Sequence, residues 1–487
     1  MTQARIDPDA CGEATCEVQE IAALRAENAA LRTEVAVLRE LVTVLQAEVA
    51  ELARRLSLDS SNSGKPPSSD GLSKPPRVRS LREPSSKPPG GQEGHPGATL
   101  RQVETPNVVV DHYPKACANC GAALTPAMAT SHRARQVFDL PEPQPILVTE
   151  HRAHVCSCAG CGASTPASFP EGVAAPVQYG ARICALVVYL LHGQFLPEDR
   201  LADAMRHLFG VSLVPATIAR MSRRCAYRLH SFAVAVRNRI NVAKVKHFDE
   251  TGFRLGGKTQ WLHIASTVLL AFYKVCGKRG SVWDGVVGIA VHDHWKPYYT
   301  MKGVLHALCN AHHLRELKAL IEIDQEDWAR KMQILLRRAC HATNLARERG
   351  VPLKPRLVAH IQRRYDAIVA EGLAFHREQP ALRRAQRRGH KPRRIGHNLL
   401  VRLQERRDDV LRFLSDPDVP FTNNEAERDA RMMKLRQKIS GGFRSQSSAE
   451  DFAIIRAVIA TARKQGWDVL GALMRDPQEL VQALRSA

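Results

Sequence analysis

The sequence has few aromatic residues, a shortage of acidic residues relative to basic ones, and no long apolar run. Aromatic side chains make up 5% of the 487 residues, which gives no support for a surface on which single-stranded bases stack. The longest apolar run, ICALVVYLL near residue 183, is too short to cross a bilayer. The first twenty residues lack the basic start and apolar stretch of a signal peptide. We therefore expect a cytoplasmic protein.

The charge balance is strongly basic, because 70 Lys and Arg stand against 49 Asp and Glu and give a net charge of +21. Such an excess makes a polyanion the default partner, and nucleic acid is the commonest one. In a reducing compartment the 12 cysteines are expected to be metal ligands or buried thiols rather than disulfides. The length and the 44% apolar share predict several domains with at least one sizeable core.

Residues 21–56, within a predicted coiled-coil segment at residues 1–58, carry an uninterrupted heptad pattern with leucine at one core position and mostly β-branched residues at the other. This composition favours a parallel two-stranded coiled coil, in which a single core asparagine fixes the register. The alternative is a lone amphipathic helix that packs on its own chain, but five successive leucine heptads favour the coiled coil. The predicted dimerisation residues are Leu24, Asn28, Leu31, Leu38, Leu45 and Leu52.

The composition changes after residue 58. Residues 59–105 are rich in Ser, Pro, Gly and Lys, with little to bury, and predict a disordered basic linker.

Residues 106–170 carry two cysteine pairs, each of Cys-x2-Cys spacing and each followed by glycine. Two such knuckles suit one structural Zn²⁺ ion, because each tight turn points two thiolates at a tetrahedral centre. The predicted zinc ligands are Cys117, Cys120, Cys158 and Cys161. Cys156 is a spare thiol in the second pair, so the choice between Cys156 and Cys158 stays open.

Residues 171–240 have helical periodicity interrupted by a turn at Gly210. A helix, a glycine turn and a second helix resemble a helix-turn-helix, in which Arg220 and Arg223 of the second helix could meet DNA. An ordinary three-helix packing unit explains the same pattern equally well.

From residue 242 the pattern changes to β-branched and aromatic runs separated by polar or glycine turns, which predict an antiparallel meander. Asp249 lies in the first of these strands, and Asp293 ends a fourth, apolar strand. A carboxylate at the end of a buried strand is costly unless a cation compensates it. Two such carboxylates on adjacent strands therefore indicate a divalent metal.

A third acidic residue, Glu427, stands in the first turn of a basic helix. Because Glu427 follows Asn424 by three residues, it would on its own be explained as a capping-box glutamate. Together with the two aspartates and the cations that follow, it indicates a metal site beside a phosphate-binding surface. The predicted DNA contacts in this run are Arg428, Arg431, Lys434 and Lys438.

Two further features lie between the second and third carboxylates. Cys309 and His312 have Cys-x2-His spacing, which fits either a functional pair or a buried thiol beside a histidine at a helix start. A helical insertion is predicted at about residues 314–410, and its residues 381–407 hold ten Lys or Arg against one Glu. This density favours contact with the DNA backbone. The predicted contacts are Arg387, Arg388, Arg393 and Arg394.

The ordered motifs DET, HD, CNAH, NNEAER and ISGGFRS resemble those of transposases of the insertion sequence 66 family, TnpC type. The likeness extends over nearly the whole chain, including the leucine zipper, the SSNSGKPPSSD linker and the final IRAVIATARKQGWDVLGAL. It implies a multidomain α+β protein with an RNase H-like catalytic domain at residues 241–440 and a C-terminal helical segment at residues 441–487.

The resemblance also implies the site and its chemistry. An Asp, Asp, Glu triad falls on Asp249, Asp293 and Glu427; Glu425 is the rival for the third place, and the NNxAER frame favours Glu427. Such a triad would hold two Mg²⁺ or Mn²⁺ ions and catalyse end cleavage and strand transfer of an insertion sequence. The pair Cys309 and His312 resembles a motif that accompanies the second aspartate in several transposase families.

The expected partners are DNA at the ends of the element, target DNA, a second copy of the chain, and small companion proteins encoded by the same element. The expected location is the bacterial cytoplasm, in association with the nucleoid. The alternatives are a DNA-binding regulator without catalysis, an inactive transposase that still binds ends, and a metal-dependent nuclease without strand transfer.

Overall fold

The structure, a computed structural model, describes residues 9–59, 62–63, 101–139, 146–280, 283–379 and 393–485. The chain divides into two compact units. The smaller unit takes in the described parts of Pro76–Ala174 together with Ala202–Leu213, and the larger unit takes in the rest. Most of the predicted linker lies outside the described residues. In the described ranges, none of the helices combines the length and apolar character needed to cross a membrane.

Helix α1 extends without interruption over Asp9–Ser57. The five heptad leucines from Leu24 to Leu52 are each at least half exposed, and Asn28 is exposed as well. Burying a leucine side chain stabilises a protein by about 1.5–3 kcal/mol. The leucine face of α1 is therefore an apolar surface of the kind that a second helix covers.

The smaller unit contains a short antiparallel hairpin, formed by β1 (Val155–Ser157) and β2 (Ser164–Pro166). A 3₁₀ turn, Pro126–Met128, follows the first cysteine pair. Strands this short are connected by few hydrogen bonds. Small units of this kind are commonly stabilised by a bound metal ion.

The predicted helix, glycine turn and helix are present as α3 (Glu198–Phe209), a turn at Gly210, and α4 (Pro215–Val242), after α2 (Ala181–His192). Gly210 has a left-handed φ of +65°, which suits the end of a helix, and proline at the first position suits the start of α4. One side of α4, including Leu229 and Phe232, is buried in the core of the larger unit.

The larger unit is built on a five-stranded sheet of order β5-β4-β3-β6-β7. Its strands are β3 (Val245–Leu255), β4 (Lys258–Ser266), β5 (Ala271–Cys276), β6 (Gly288–His292) and β7 (Val304–Leu308). The predicted antiparallel meander is confirmed, because β3 pairs with β4 and β4 with β5 in antiparallel sense. Strand β6 then pairs in parallel with β3, and β7 in parallel with β6. The protein is therefore of mixed α and β structure.

The β3–β4 turn is a two-residue hairpin connection, since Leu255 pairs with Lys258. Gly256 and Gly257 both have positive φ, +52° and +80°. A two-residue turn of this kind requires positive φ at both positions, which glycine adopts without strain.

Helices cover both faces of the sheet. Their bounds are α5 (Asn310–Glu322), α6 (Asp327–Glu348), α7 (Pro355–Glu378), α8 (Ile395–Glu405), α9 (Arg407–Ser415), α10 (Asn424–Ser440), α11 (Gln446–Gln465), α12 (Val469–Met474) and α13 (Pro477–Ala483). Successive side chains of a strand point to opposite faces. Accordingly Ile289 and Val291 of β6 pack with helices α5 to α9, whereas Ala290 packs with α4 and α11.

The C-terminal helices share the core of the sheet. Ile455 and Ile459 of α11 lie in one buried cluster with Phe248 of β3 and Phe232 of α4. The carboxyl-terminal segment and the long helix α4 therefore hold the strand that carries the first predicted carboxylate.

Candidate metal centre and DNA-binding surface

Asp249 and Asp293 lie at the same edge of the sheet because β3 and β6 run parallel. His247 of β3 pairs with Val291 of β6. When this register is continued by two residues, Asp249 stands beside Asp293. The parallel pairing thus brings two distant parts of the sequence together, although β3 continues beyond Asp249 to Leu255.

Cys309 extends this row by one strand. His292 of β6 pairs with Leu308 of β7, so the next register position sets Cys309 beside Asp293. Cys309 is buried and is the residue before the first turn of α5. Two carboxylates and a thiol thus stand side by side across three adjacent parallel strands, the first within β3 and the other two just past the ends of β6 and β7.

The pKa of Asp249 is raised well above its ordinary value, first by burial and then by the negative charges of Asp293, Glu427 and Glu250. A hydrogen bond from the backbone N–H of Glu250 to Asp249 Oδ1, 2.9 Å long, opposes this shift. A raised pKa means that ionised carboxylates destabilise one another here. Oxygen ligands in such a cluster are what Mg²⁺ prefers in proteins, and the ion would remove the repulsion. The residues present therefore fit a magnesium site.

Glu250 is engaged by groups other than this cluster. The Tyr298 hydroxyl donates a hydrogen bond of 2.5 Å to Glu250 Oε2, and Arg279 approaches Glu250 Oε1 at 3.0 Å. The Arg279 guanidinium in turn lies 3.8 Å from the centre of the Trp295 ring. Burial raises the pKa of Glu250, and these two partners oppose the rise.

Glu427 lies in the first turn of α10, and its carboxylate faces Cys309 and His312. The Cys309 thiol donates to Glu427 Oε1 at 3.5 Å, and His312 Nδ1 lies 3.8 Å from the same oxygen. Arg431 approaches the other oxygen, Oε2, at 3.8 Å. The capping-box interpretation of Glu427 is wrong. The capping position is Asn423, and its side chain makes no capping hydrogen bond.

Asn423 is a structural residue of the site that the sequence analysis missed. Its side-chain Nδ2 donates to the backbone oxygen of Phe248 at 2.7 Å, and its backbone N–H donates to Cys309 Sγ at 3.1 Å. Its Oδ1 lies 3.0 Å from His247 Nδ1. Because an amide oxygen can only accept, His247 donates this bond. Asn423 therefore attaches the start of α10 to β3 and to the end of β7, and no local sequence pattern signals these long-range contacts.

Glu425, the rival for the third position, is held by cations. Its Oε2 lies 3.2 Å from Lys464 Nζ, and its Oε1 accepts a close hydrogen bond from Arg428. These ion pairs direct the Glu425 carboxylate toward α11, whereas Glu427 faces the row of residues at the sheet edge.

The predicted DNA contacts on α10 are exposed. The exposed cations are Arg428, Arg431, Lys434 and Lys438. Lys434 Nζ also donates to the backbone oxygen of Gly252 at 2.7 Å, which ties this helix to β3. The first turn of the same helix carries Glu427, so the cations extend away from the carboxylate cluster along one helix.

The other predicted contacts that the structure describes lie on α4 and just before α8. Arg220 and Arg223 are exposed on α4, and Arg223 donates to the Ser447 hydroxyl at 3.0 Å. Arg393 is exposed and Arg394 half-buried just before α8. Arg387 and Arg388 lie outside the described residues.

The two cysteine knuckles of the smaller unit have the same backbone hydrogen bonds. The Gly121 N–H donates to the oxygen of Cys117, and the Gly162 N–H donates to the oxygen of Cys158. Both glycines have left-handed φ, +74° and +73°. In each turn, N–H groups aimed at the first sulfur lower its pKa, which favours the thiolate that zinc requires.

The backbone favours Cys158 over Cys156 as a ligand, because Cys158 holds the turn position equivalent to Cys117 while Cys156 lies in β1 opposite Thr165. Within the described ranges, the pairs Cys117 with Cys120 and Cys158 with Cys161 do not form a group of ligand atoms within 4.8 Å of one another. In the same ranges, the ligand atoms of Cys309, His312 and Glu427 do lie within 4.8 Å of one another.

Comparison with known families places the chain among transposases. The chain belongs to the transposase IS66 family, because residues 176–451 match the family model described as "Transposase IS66 family". Residues 114–162 match the "zinc-finger binding domain of transposase IS66", which supports structural zinc and DNA as a partner. Residues 13–101 match a "Family of unknown function (DUF6444)".

One curated relative was also found. Over 76 residues the chain is 36% identical to "Uncharacterized protein y4jO" of Sinorhizobium fredii, a stretch that covers 15% of this chain and 24% of that protein. The chain thus spans about a quarter of the length of this relative.

Proposed function

We propose that this protein is a DDE transposase that cleaves the ends of an insertion sequence and joins them to target DNA. The observation that carries the proposal is the position of Asp249 beside Asp293 on paired parallel strands. Beyond the effect of burial, the charges of Asp293 and Glu427 raise the pKa of Asp249, which supports the grouping of the three carboxylates. The five-stranded mixed sheet with helices on both faces supports an RNase H-like catalytic domain.

The catalytic roles follow from the placement of the three side chains. Asp249, Asp293 and Glu427 would hold Mg²⁺ between strand β3, the end of β6 and the first turn of α10. Magnesium bound there supplies activation of a water or 3′-hydroxyl nucleophile and stabilisation of the leaving oxygen in an in-line displacement at a DNA phosphate. Asn423 holds α10 against β3, and this contact fixes the position of Glu427 relative to the two aspartates.

The exposed cations of α10 would bind the phosphates that flank the reacting one, because Arg and Lys neutralise backbone charge without reading sequence. Arg220 and Arg223 of α4 and the basic segment that includes Arg393 and Arg394 extend this role. Because all of these cations would bind DNA phosphates, we expect the affinity for DNA to fall steeply as salt is added.

The remaining modules serve assembly and end recognition in this proposal. The exposed leucine face of α1 would pair with the same face of a second copy, and Asn28 would fix the register of the two helices. The zinc-bound knuckles would present a small folded unit to DNA. Companion proteins of the same element complete the expected assembly, which would act at the bacterial nucleoid.

The test is cleavage of DNA that carries the element's own ends, with Mg²⁺ or Mn²⁺, by the wild type and by Glu427→Gln. We expect metal-dependent nicking at the ends by the wild type, its loss in Glu427→Gln, and retained DNA binding by both. Glu425→Gln is the matched control, since it removes a carboxylate two residues away. Nicking that survives in Glu427→Gln and disappears in Glu425→Gln would move the third position to Glu425.

A further inference from the structure

A thiol, an imidazole and a carboxylate converge beside the carboxylate cluster. The ligand atoms of Cys309, His312 and Glu427 all lie within 4.8 Å of one another. Cys309 and His312 belong to the β7–α5 junction, where the His312 N–H donates to the Cys309 backbone oxygen at 3.1 Å. One helical turn thus presents two soft ligands to a single oxygen of Glu427.

The spacing of these atoms already fits a tetrahedral ion. Zinc binds sulfur at about 2.3 Å and nitrogen or oxygen at about 2.1 Å, so two ligands of one tetrahedral ion lie roughly 3.6 Å apart. Glu427 Oε1 is 3.5 Å from Cys309 Sγ and 3.8 Å from His312 Nδ1. Small side-chain movements would therefore suffice to close the three ligands on one ion.

The imidazole has a free ligand atom at this point. His312 Nδ1 is buried and has no hydrogen-bond partner among the described residues. A buried polar atom left without a partner is costly, and a metal ion is one means of satisfying it. Burial and the charge of Glu427 raise the pKa of the Cys309 thiol, and the Asn423 N–H, which donates to Cys309 Sγ at 3.1 Å, opposes this rise.

We propose that Cys309 Sγ, His312 Nδ1 and Glu427 Oε1 bind one soft divalent ion of the zinc class, and that this ion withdraws Glu427 from the magnesium site. Thiolate and imidazole select zinc over magnesium, and three protein ligands leave a fourth position for water. The Cys309 thiol loses its proton to solvent when the ion binds, and no other bond changes. The inhibitory part rests on the proposed transposase function, whereas the binding part does not.

The binding part is tested on the full-length protein by counting zinc per chain after equilibrium dialysis against a fixed low concentration of free Zn²⁺. We expect Cys309→Ser and His312→Ala to retain one zinc fewer per chain than the wild type. Cys340→Ser is the matched control, because Cys340 is a half-buried thiol on α6. His312→Ala tests the same site without changing the buried cysteine, so the test does not depend on whether Cys309→Ser folds. Circular dichroism measures the fold of each variant. Equal zinc counts in all four proteins would overturn the proposal.

The inhibitory part is tested by end nicking at fixed Mg²⁺ with and without Zn²⁺, as a ratio taken within each protein. At ten times its dissociation constant, zinc fills about nine-tenths of its sites, so we expect wild-type and Cys340→Ser nicking to fall by about tenfold. Extra zinc bound by the wild type without a fall in nicking would overturn the inhibition. Absence of wild-type nicking with Mg²⁺ alone would instead overturn the transposase proposal, and the zinc counts would still decide the site.

Discussion

Asp249 and Asp293 lie side by side because the pairing of His247 with Val291, continued by two residues, sets the two aspartates at the same height on adjacent parallel strands. The charge of Asp293 is the largest electrostatic contribution to the raised pKa of Asp249. The ionised forms of the two side chains therefore repel each other, and in the proposed function they are a ligand pair for Mg²⁺.

The first prediction concerns this repulsion. Asp293→Asn should raise the free energy of unfolding of the metal-free protein at neutral pH by about 1 kcal/mol, because it removes one of the mutually repelling charges. The same change should abolish the rise in Tm that Mg²⁺ gives the wild type, since a ligand that binds only the folded state stabilises it. Thermal unfolding with and without Mg²⁺ measures both effects.

The control for this experiment is Asp284→Asn, at an exposed position in the loop before β6. We expect this variant to keep the wild-type response to Mg²⁺. A metal-free Asp293→Asn that is less stable than the wild type and still responds to Mg²⁺ would contradict the metal site.

The second prediction concerns Asn423. Asn423→Ala should lower the free energy of unfolding by about 1–3 kcal/mol, because the Phe248 oxygen and His247 Nδ1 are left buried without their partner. It should also reduce end nicking, since α10 loses its attachment to β3. Asn424→Ala changes the exposed neighbouring asparagine and should leave stability and nicking near the wild-type values. Equal losses in the two variants would show that Asn423 has no special positioning role.

The sequence predicted those parts of the fold that local periodicity encodes. The alternating pattern and its turn residues predict the antiparallel meander. Helical periodicity predicts the two helices on either side of Gly210 and the helical stretch after Cys309. The sequence predicts Asp249 and Asp293 on adjacent strands, and the family resemblance assigns both to one triad. The parallel pairing of β3 with β6, which brings the two residues side by side, is a long-range contact that no local pattern contains.

The site beyond the triad was less accessible to the sequence. The pattern around Glu427 matches a capping box, and only long-range contacts show that its carboxylate faces Cys309 instead. Asn423 stands at the N-cap position of α10, where asparagine is common. Its side chain instead bonds to a strand some 175 positions earlier, and such a contact depends on tertiary packing.

The third prediction resolves the two candidate cysteines of the second knuckle. Cys158→Ser should remove the structural zinc of the smaller unit, because Cys158 has the turn geometry of Cys117. Cys156→Ser should keep it, because Cys156 lies in the strand. Metal analysis of each purified protein measures the difference, and zinc loss in Cys156→Ser alone would reverse the assignment.

The fourth prediction concerns the leucine face of α1. Leu38→Lys should convert a dimer into monomers, because a charge at a core position of a two-stranded coiled coil is desolvated on pairing. Val37→Lys introduces the same charge at an exposed position next to it, off the heptad core, and should leave the dimer intact. Light scattering after size-exclusion chromatography reports the mass of each. A monomeric wild type, or an unchanged dimer in Leu38→Lys, would rule out the coiled-coil interface.

The last prediction arises from a buried carboxyl in the helical region after β7. Glu326 Oε2 accepts a hydrogen bond of 2.5 Å from Trp328 Nε1 and lies 3.2 Å from His376 Nε2. Burial lowers the pKa of His376 to about 4, so near neutral pH this contact is a hydrogen bond from a neutral imidazole rather than an ion pair. Burial also raises the pKa of Glu326 from 4.5 to about 7.

A raised carboxyl pKa in the folded state gives stability that is complete below pH 4.5 and is lost as the pH rises through about 7. Glu326→Gln does not ionise, so the free energy of unfolding of the wild type should fall relative to this variant by on the order of 3 kcal/mol over that window. The titration of His376 is common to both proteins, and Glu322→Gln, at an exposed position, should follow the wild type. Denaturant unfolding at a series of pH values measures the difference. Parallel curves for the wild type and Glu326→Gln would mean that Glu326 is already ionised in the fold well below pH 7, with its charge offset by nearby cations.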